Sequence, residues 1–166
     1  MYTLPIALRD LNMLQHIQLI TGTEVLNGRS APERALIDFY RAFNHRDLAH
    51  MAQNWSHAKH VVLCNPLGGV KRGWAEIEGV YQRIFSGSAT VYVEYYDITL
   101  NRVGDLFYAT GRERGTFKTA QVELPLAIRT TRIYQDINGT WKQIHHHGSI
   151  DDSALLASYQ QAVAGI

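Results

Sequence analysis

Cysteine is nearly absent: Cys64 is the only one among 166 residues. A single thiol excludes an intrachain disulfide, so nothing here calls for an oxidising compartment. It sits in the apolar run HVVLCNP, where it reads as a buried, inert thiol. Long apolar runs are missing as well. No stretch approaches the ~18 uninterrupted apolar residues of a membrane span. The opening MYTLPIALRDLNMLQHIQLITG carries Arg9, Asp10 and His16 where a signal peptide needs a clean apolar core. Neither sign of charge dominates: 16 Lys and Arg against 15 Asp and Glu leave a formal net charge of +1, with no basic run or stripe. Nucleic acid and membrane are therefore not expected partners, and a cytoplasmic location is the simplest expectation.

What is present suits one globular domain. Apolar residues make up 46% and charged residues 19%, enough at this length to bury a core. Residues 1–29 stand apart. Leu4, Leu8, Leu11, Met13, Leu14 and Ile17 have the spacing of a short amphipathic helix, broken afterwards by Gly22 and Gly28. This segment reads as an N-terminal arm packed on the domain or on a second subunit. The domain proper covers residues 30–166. Ser30 and Glu33 have capping-box spacing with Pro32 in the first turn, and Ala35, Leu36, Phe39, Tyr40 and Phe43 fall on one face of the helix that follows. HRDLAHMAQNW gives a second short helix capped by Asp47, KHVVLC a short strand, and NPLGGVKRG a glycine-punctuated loop. Ile77, Val80, Tyr81, Ile84 and Phe85 mark a third helix.

Past the SGS at 86–88 the apolar period changes from helical to alternating. ATVYVEYYDITL, DLFYATGRERGTF, VELPLAIRTTRIY and TWKQIHHHGS read as four long strands. Asn138-Gly139 between the last two is a hairpin signal, because both residues accept positive φ. The chain closes on an Asp-capped helix, DDSALLASYQQAV. Helices followed by a meander of long antiparallel strands predict an α+β fold, with Gly111 and Gly115 bending the sheet around the helices.

These segments together resemble the nuclear transport factor 2-like superfamily over roughly residues 32–150. The resemblance implies a cone: a strongly curved, mainly antiparallel sheet wrapped around three helices, the cystatin-like α+β roll, with a cavity at the wide end. TRIYQDINGTWKQIHHHGS is similar to the end of the calcium/calmodulin-dependent protein kinase II association domain, through Thr131, Arg132, Gly139, Trp141, His145, His147 and Ser149. NPLGGVKRGWAEI resembles the segment before the third helix in small SnoaL-like relatives. The superfamily includes ketosteroid isomerase, polyketide cyclases, limonene epoxide hydrolase and non-catalytic assembly domains, so fold alone does not give function.

Alternation sorts the polar residues. Arg112 and Arg114 share one face of their strand and Glu113 takes the other; Arg132 goes with Thr130 and Tyr134. Read straight through, the last strand puts Trp141, Gln143, His145 and His147 on one face and Lys142, Ile144, His146 and Gly148 on the other. The resemblance implies an arginine-lined pocket in which Arg132 matches one arginine and Arg112 or Arg114 a second. A third falls at Gly148, where this chain departs from the pattern. The expected ligand-binding residues are thus Arg132, Arg112, Arg114, His146 and Tyr134, with Trp74 at the cavity rim. Such a pocket suits a carboxylate or another small anion, because a planar guanidinium holds both oxygens at once, so the expected ligand is acidic or polar. An arginine salt-bridge ladder on the outer sheet face is the alternative for the same residues.

A ketosteroid isomerase-like or polyketide cyclase-like enzyme would need a general base and an oxyanion donor. Asp38, Asp97 and Glu113 are candidates for the base, and Tyr40, Tyr81 and Tyr108 for the donor, none within a matching motif. A purely oligomerising module is a third reading, and the superfamily implies a homodimer through the sheet. No cofactor or metal is expected. His145 and His147 could both reach one ion, but a third ligand would have to come from His57, His60 or a carboxylate elsewhere. The resemblance further implies that these two histidines stand without a metal.

Overall fold

Ser30 caps the first helix as its spacing predicts: its Oγ accepts a hydrogen bond from the Glu33 backbone N–H at 3.3 Å. In a computed structural model describing residues 12–165, the order is β1 (Asn12–Ile20), α1 (Ala31–Asn44), α2 (Leu48–Asn54), β2 (Val62–Cys64), β3 (Val70–Arg72) and α3 (Trp74–Ser86). There follow β4 (Thr90–Val103), β5 (Leu106–Lys118), β6 (Glu123–Ile137), β7 (Thr140–Ser149) and α4 (Ser153–Ala164). The strands form one sheet in the order β1-β4-β5-β6-β7-β2-β3, antiparallel throughout except where β2 runs parallel to β7. This is the expected α+β cone.

Two expectations need correction. Residues 12–20 form an edge strand paired with β4, not a helix, with Ile17 and Ile20 buried and Leu14 and Leu19 exposed. Cross-strand pairing along β4 overrides a weak helical spacing in a segment rich in β-branched and long apolar residues. The residues before it, including Leu4, Leu8 and Leu11, lie outside the described part. The glycine-rich loop NPLGGVKRG also contains a short strand, β3, which returns along β2.

Asn138 and Gly139 have φ of 55° and 81°, the two positive values that a tight hairpin between β6 and β7 requires. Two bulges shape the sheet. Asp97 takes φ 54° where the β4–β5 register shifts between Tyr96 and Thr99, so the buried set of β4 changes from Val93 and Tyr95 to Ile98 and Leu100. A second shift lies where Ile133 faces His145 but Tyr134 faces Gln143, leaving Ile144 as the extra residue of β7. Gly115 completes the bend, because a Cβ there would run into the Tyr92 carbonyl.

The core lies between helices and sheet. Leu36, Ile37, Phe39 and Tyr40 of α1, Met51 of α2 and Ile77 and Tyr81 of α3 meet Tyr95, Phe107, Tyr134 and Trp141 from the strands. Each fully buried Leu, Ile or Phe contributes about 1.5–3 kcal/mol. Trp55 and Trp141 are buried in this core as well.

Gly148 has its own reason. A Cβ there would lie 2.6 Å from Pro66 Cγ and 3.3 Å from Ile128 Cγ2. The place that a larger side chain would occupy is taken by Pro66 from the β2–β3 turn. Gly148→Ala is therefore expected to destabilise the fold by about 1–3 kcal/mol through overpacking, measured by denaturant unfolding; an unchanged midpoint would contradict this packing.

Candidate functional site

Helices α1 and α3 do not fill the concave face of the sheet. Between them, the inner faces of β4–β7 and the 65–71 segment lies a cavity of about 1180 Å³, bordered on one side by α4. Its walls are mainly apolar, including Phe39, Phe43, Leu63, Phe117, Leu126 and Ile128. Tyr159 of α4 packs on Phe117 with ring centroids 5.0 Å apart, and Gln160 Nε2 donates to the Leu67 carbonyl at 2.8 Å. Those contacts seat the helix at the cavity edge although none of its side chains is fully buried.

Glu113, Arg132 and His146 supply the buried polar part of the lining. Arg132 Nη2 donates to Glu113 Oε1 at 2.8 Å, Nη1 to Gln143 Oε1 at 3.1 Å and Nε to the Tyr40 hydroxyl at 3.1 Å. The Tyr40 hydroxyl in turn donates to Glu113 Oε1 at 2.5 Å. The guanidinium carbon lies 3.5 Å from the centroid of the Phe39 ring, a cation–π contact. A buried ion pair needs further hydrogen bonds to offset its desolvation, and Tyr40 and Gln143 supply them here, although Gln143 Nε2 has no partner of its own among the described residues.

Environment fixes the protonation states. Burial opposes the charge on Arg132, but the Tyr40 oxygen and the Glu113 carboxylate outweigh it, so the guanidinium is held above its ordinary range. Burial raises Tyr40 well above the usual phenol value, keeping it a donor. Tyr81 is pushed up to about 12 by burial, with the Arg132 charge acting in the opposite direction. For His146, burial and the nearby Arg132 charge both lower the pKa well below 6.5, so the imidazole is neutral at pH 7. Neither of its ring nitrogens has a hydrogen-bond partner among the described residues, whereas the Tyr81 hydroxyl lies close to the Trp55 indole and the Arg132 guanidinium without a well-formed bond to either. Leaving such a group unpaired costs about 1–3 kcal/mol. His146 and Tyr81 both line the cavity.

Of the six expected ligand-binding residues, Arg132 and His146 line this cavity. Arg112 and Arg114 do not: both are exposed on the outer face, where Arg114 pairs with Glu94 at 3.0 Å and lies over the Tyr96 ring. The alternation of β5 was right but the inward face is the other one, since Phe107, Ala109 and Phe117 share the parity of Glu113. Tyr134 is fully buried beside the cavity wall, stacked on Phe107 at 4.6 Å and donating to Asn54 Oδ1 at 2.9 Å. Trp74 is half-buried against Trp55 and stacked on His57 at 4.8 Å, outside the lining. Asp97 and Tyr108 face solvent, and Asp38 pairs with Arg41 at 3.2 Å. Gln143 was missed because the bulge at Ile144 places it and His146 on the same inner side.

The comparisons bear on this geometry. Residues 33–153 match the SnoaL-like domain. The chain belongs to the SnoaL-like family. Among solved structures, a proposed calcium/calmodulin-dependent protein kinase type II association domain from Thiobacillus denitrificans is 25% identical with a TM-score of 0.59, over 74% of this chain and 96% of that one. A proposed dehydratase of the NTF2-like family from Streptomyces avermitilis is 19% identical, TM-score 0.65, over 74% and 95%. A ketosteroid isomerase-like protein from Erwinia carotovora atroseptica is 20% identical, TM-score 0.62, also over 74% and 95%. No curated protein matches the sequence. This SnoaL-like chain therefore has the nuclear transport factor 2-like fold.

His146 ties the site to stability. In the unfolded chain it gains a proton as pH falls through about 6.5, while in the folded chain it resists protonation. The unfolded state then binds more protons, so stability present above pH 6.5 is lost as pH falls below it. The slope is at most about 1.4 kcal/mol per pH unit for this one group. Denaturant unfolding at about pH 7.5 and 5.5 should show that loss in the natural chain and a flatter response in His146→Gln; an equal loss in both would contradict it.

Proposed function

We propose that this SnoaL-like domain binds a mainly apolar small molecule that places a polar oxygen group, a carbonyl or hydroxyl, at the inner end of the cavity. The observation that carries the reading is His146: a neutral, enclosed imidazole with two unpartnered ring nitrogens, facing an apolar cavity beside Arg132 and Tyr81. Glu113 balances the Arg132 charge within the protein, which favours an uncharged group there over a carboxylate. An acidic group on the same ligand is better met by Lys71 and Arg83, which also line the cavity and have no ion-pair partner among the described residues. A cavity of this size and apolar character is somewhat larger than the usual small-molecule site, and a purely assembling role would leave it without a use.

The same geometry supports a second reading, in which His146 takes a proton from a carbon next to the bound carbonyl. The imidazole is unprotonated and so can accept a proton, but the burial and Arg132 charge that keep it neutral also make it a weak base, which ranks this reading second; a phenol such as Tyr81 is a donor to the developing oxyanion. The likeness to a ketosteroid isomerase-like protein carries the fold and not this step.

Thermal-shift and calorimetric titration with matched ketones, alcohols and carboxylic acids on one hydrocarbon frame tests the first reading. Neutral ketones and alcohols should stabilise the protein more than the short acids, and His146→Leu should weaken their binding by about tenfold or more. No stabilisation by any compound, or equal binding by the variant, would overturn it. Deuterium exchange from solvent into a bound ketone, lost in His146→Gln, would separate proton transfer from binding alone.

A further inference from the structure

On the opposite face of the same strand is a group of side chains that the cavity does not use. Strand β2 lies parallel to β7 with Val62 beside His145, Leu63 beside His146 and Cys64 beside His147. Leu63 and His146 are buried towards the cavity, so the residues flanking them, Cys64, His145 and His147, share the outer face. One donor atom from each of those three, the thiol Sγ and a nitrogen of each imidazole, lies within 4.8 Å of the other two. The bulge at Ile144 is what turns His145 and His147 outwards together while Gln143 remains inside.

We propose that Cys64, His145 and His147 form a three-ligand site for a zinc-class divalent ion on the outer face of the sheet, with the fourth position open. The donor set is the argument. One thiolate and two imidazoles suit a borderline-soft ion and suit magnesium or calcium poorly, since those prefer oxygen. With Zn–S near 2.3 Å and Zn–N near 2.0–2.1 Å, a tetrahedron sets the donors roughly 3.3–3.7 Å apart. Side-chain rotations of about an ångström close that gap from the observed spacing, and the backbone need not move because the β2–β7 register already holds the three Cβ atoms on one face. Two ligands on one strand and one on its hydrogen-bonded neighbour make a rigid base. Cys64 and His145 are half-buried and His147 is exposed, so the site is open to solvent on one side. Thr131 and Ile133 of β6 are register partners of His147 and His145, Val70 of β3 is the partner of Cys64, and Arg72 of β3 is the partner of Val62, so no acidic side chain is among these register neighbours. Arg129, further along β6, is paired with Asp151 at 2.8 Å and does not compete for the thiolate.

Neither histidine expected to complete such a group takes part. His57 stacks on Trp74 and bonds to the Ala52 carbonyl at 2.9 Å, and His60 is exposed elsewhere. The third ligand is instead the cysteine that its sequence surroundings suggested was buried and inert. An open fourth position on three protein ligands lets water, a small anion or a side chain from another molecule complete the shell. This inference is independent of the cavity reading.

The test uses the full chain without a purification tag, kept reduced. Titration with Co²⁺ should saturate at one equivalent and give a thiolate-to-metal charge-transfer band in the near ultraviolet, and Zn²⁺ should displace it. Calorimetry with Zn²⁺ should show affinity falling by about 100-fold or more in Cys64→Ser and in His147→Gln, and unchanged in His57→Gln. Since Cys64 is the only thiol, one equivalent of Zn²⁺ should also slow its alkylation in the natural chain, a readout independent of any variant's folding. Binding that fails to saturate at one equivalent, a cobalt spectrum without the thiolate band, or equal affinity in Cys64→Ser would overturn the proposal.

Discussion

The Arg132–Glu113 pair organises this molecule. Its two side chains come from neighbouring strands, are almost wholly buried, and hold Tyr40 of α1 and Gln143 of β7 through hydrogen bonds. A charge in that position without its partner would cost several kcal/mol. The helix, both long strands and the bulged last strand must therefore meet in one arrangement. The phenol stays protonated because it is buried, so it can donate to the carboxylate while accepting from the guanidinium. The base of the cavity is thus set by polar geometry, and its walls by apolar packing.

Function follows from how this network divides its charge. An arginine at the end of an apolar cavity suggests an anionic ligand, but here the balancing carboxylate belongs to the protein. What remains unpartnered in the lining among the described residues is neutral, the His146 imidazole, and the Tyr81 hydroxyl near Trp55 and Arg132 is neutral as well. Those groups match a carbonyl or hydroxyl oxygen. Lys71 and Arg83, which have no ion-pair partner among the described residues, also belong to the lining, so polarity and positive charge reach the ligand from different side chains.

Much of this was legible in the sequence, and the failures have physical causes. Ser30 with Glu33, Asp47 and Asn138-Gly139 gave helix starts and a hairpin because each is a local interaction that a few residues decide. Alternation groups Arg132 with Thr130 and Tyr134 and His146 with Gly148, the resemblance to the association domain is what points those faces inward, and both side chains do line the cavity. Arg112 and Arg114 were placed inside by analogy, although Phe107 and Phe117 at the parity of Glu113 carried the signal for the opposite face. Gln143 could not be found by alternation, because the bulge at Ile144 depends on pairing with β6. Cys64 came next to His147 only through a parallel contact between segments some 80 residues apart in sequence order, which no local pattern encodes. Strand β1 was misread for the same reason: its partner, β4, is remote in sequence.

The central claim is that His146 is a neutral group presented to a ligand, and imidazole ¹⁵N chemical shifts measured by long-range NMR correlation test it directly. The account predicts a neutral His146 at pH 6 whose ring nitrogens shift when a neutral ketone or alcohol saturates the cavity. A protonated His146 at that pH, or ring nitrogens that do not move when such a ligand is bound, would contradict it.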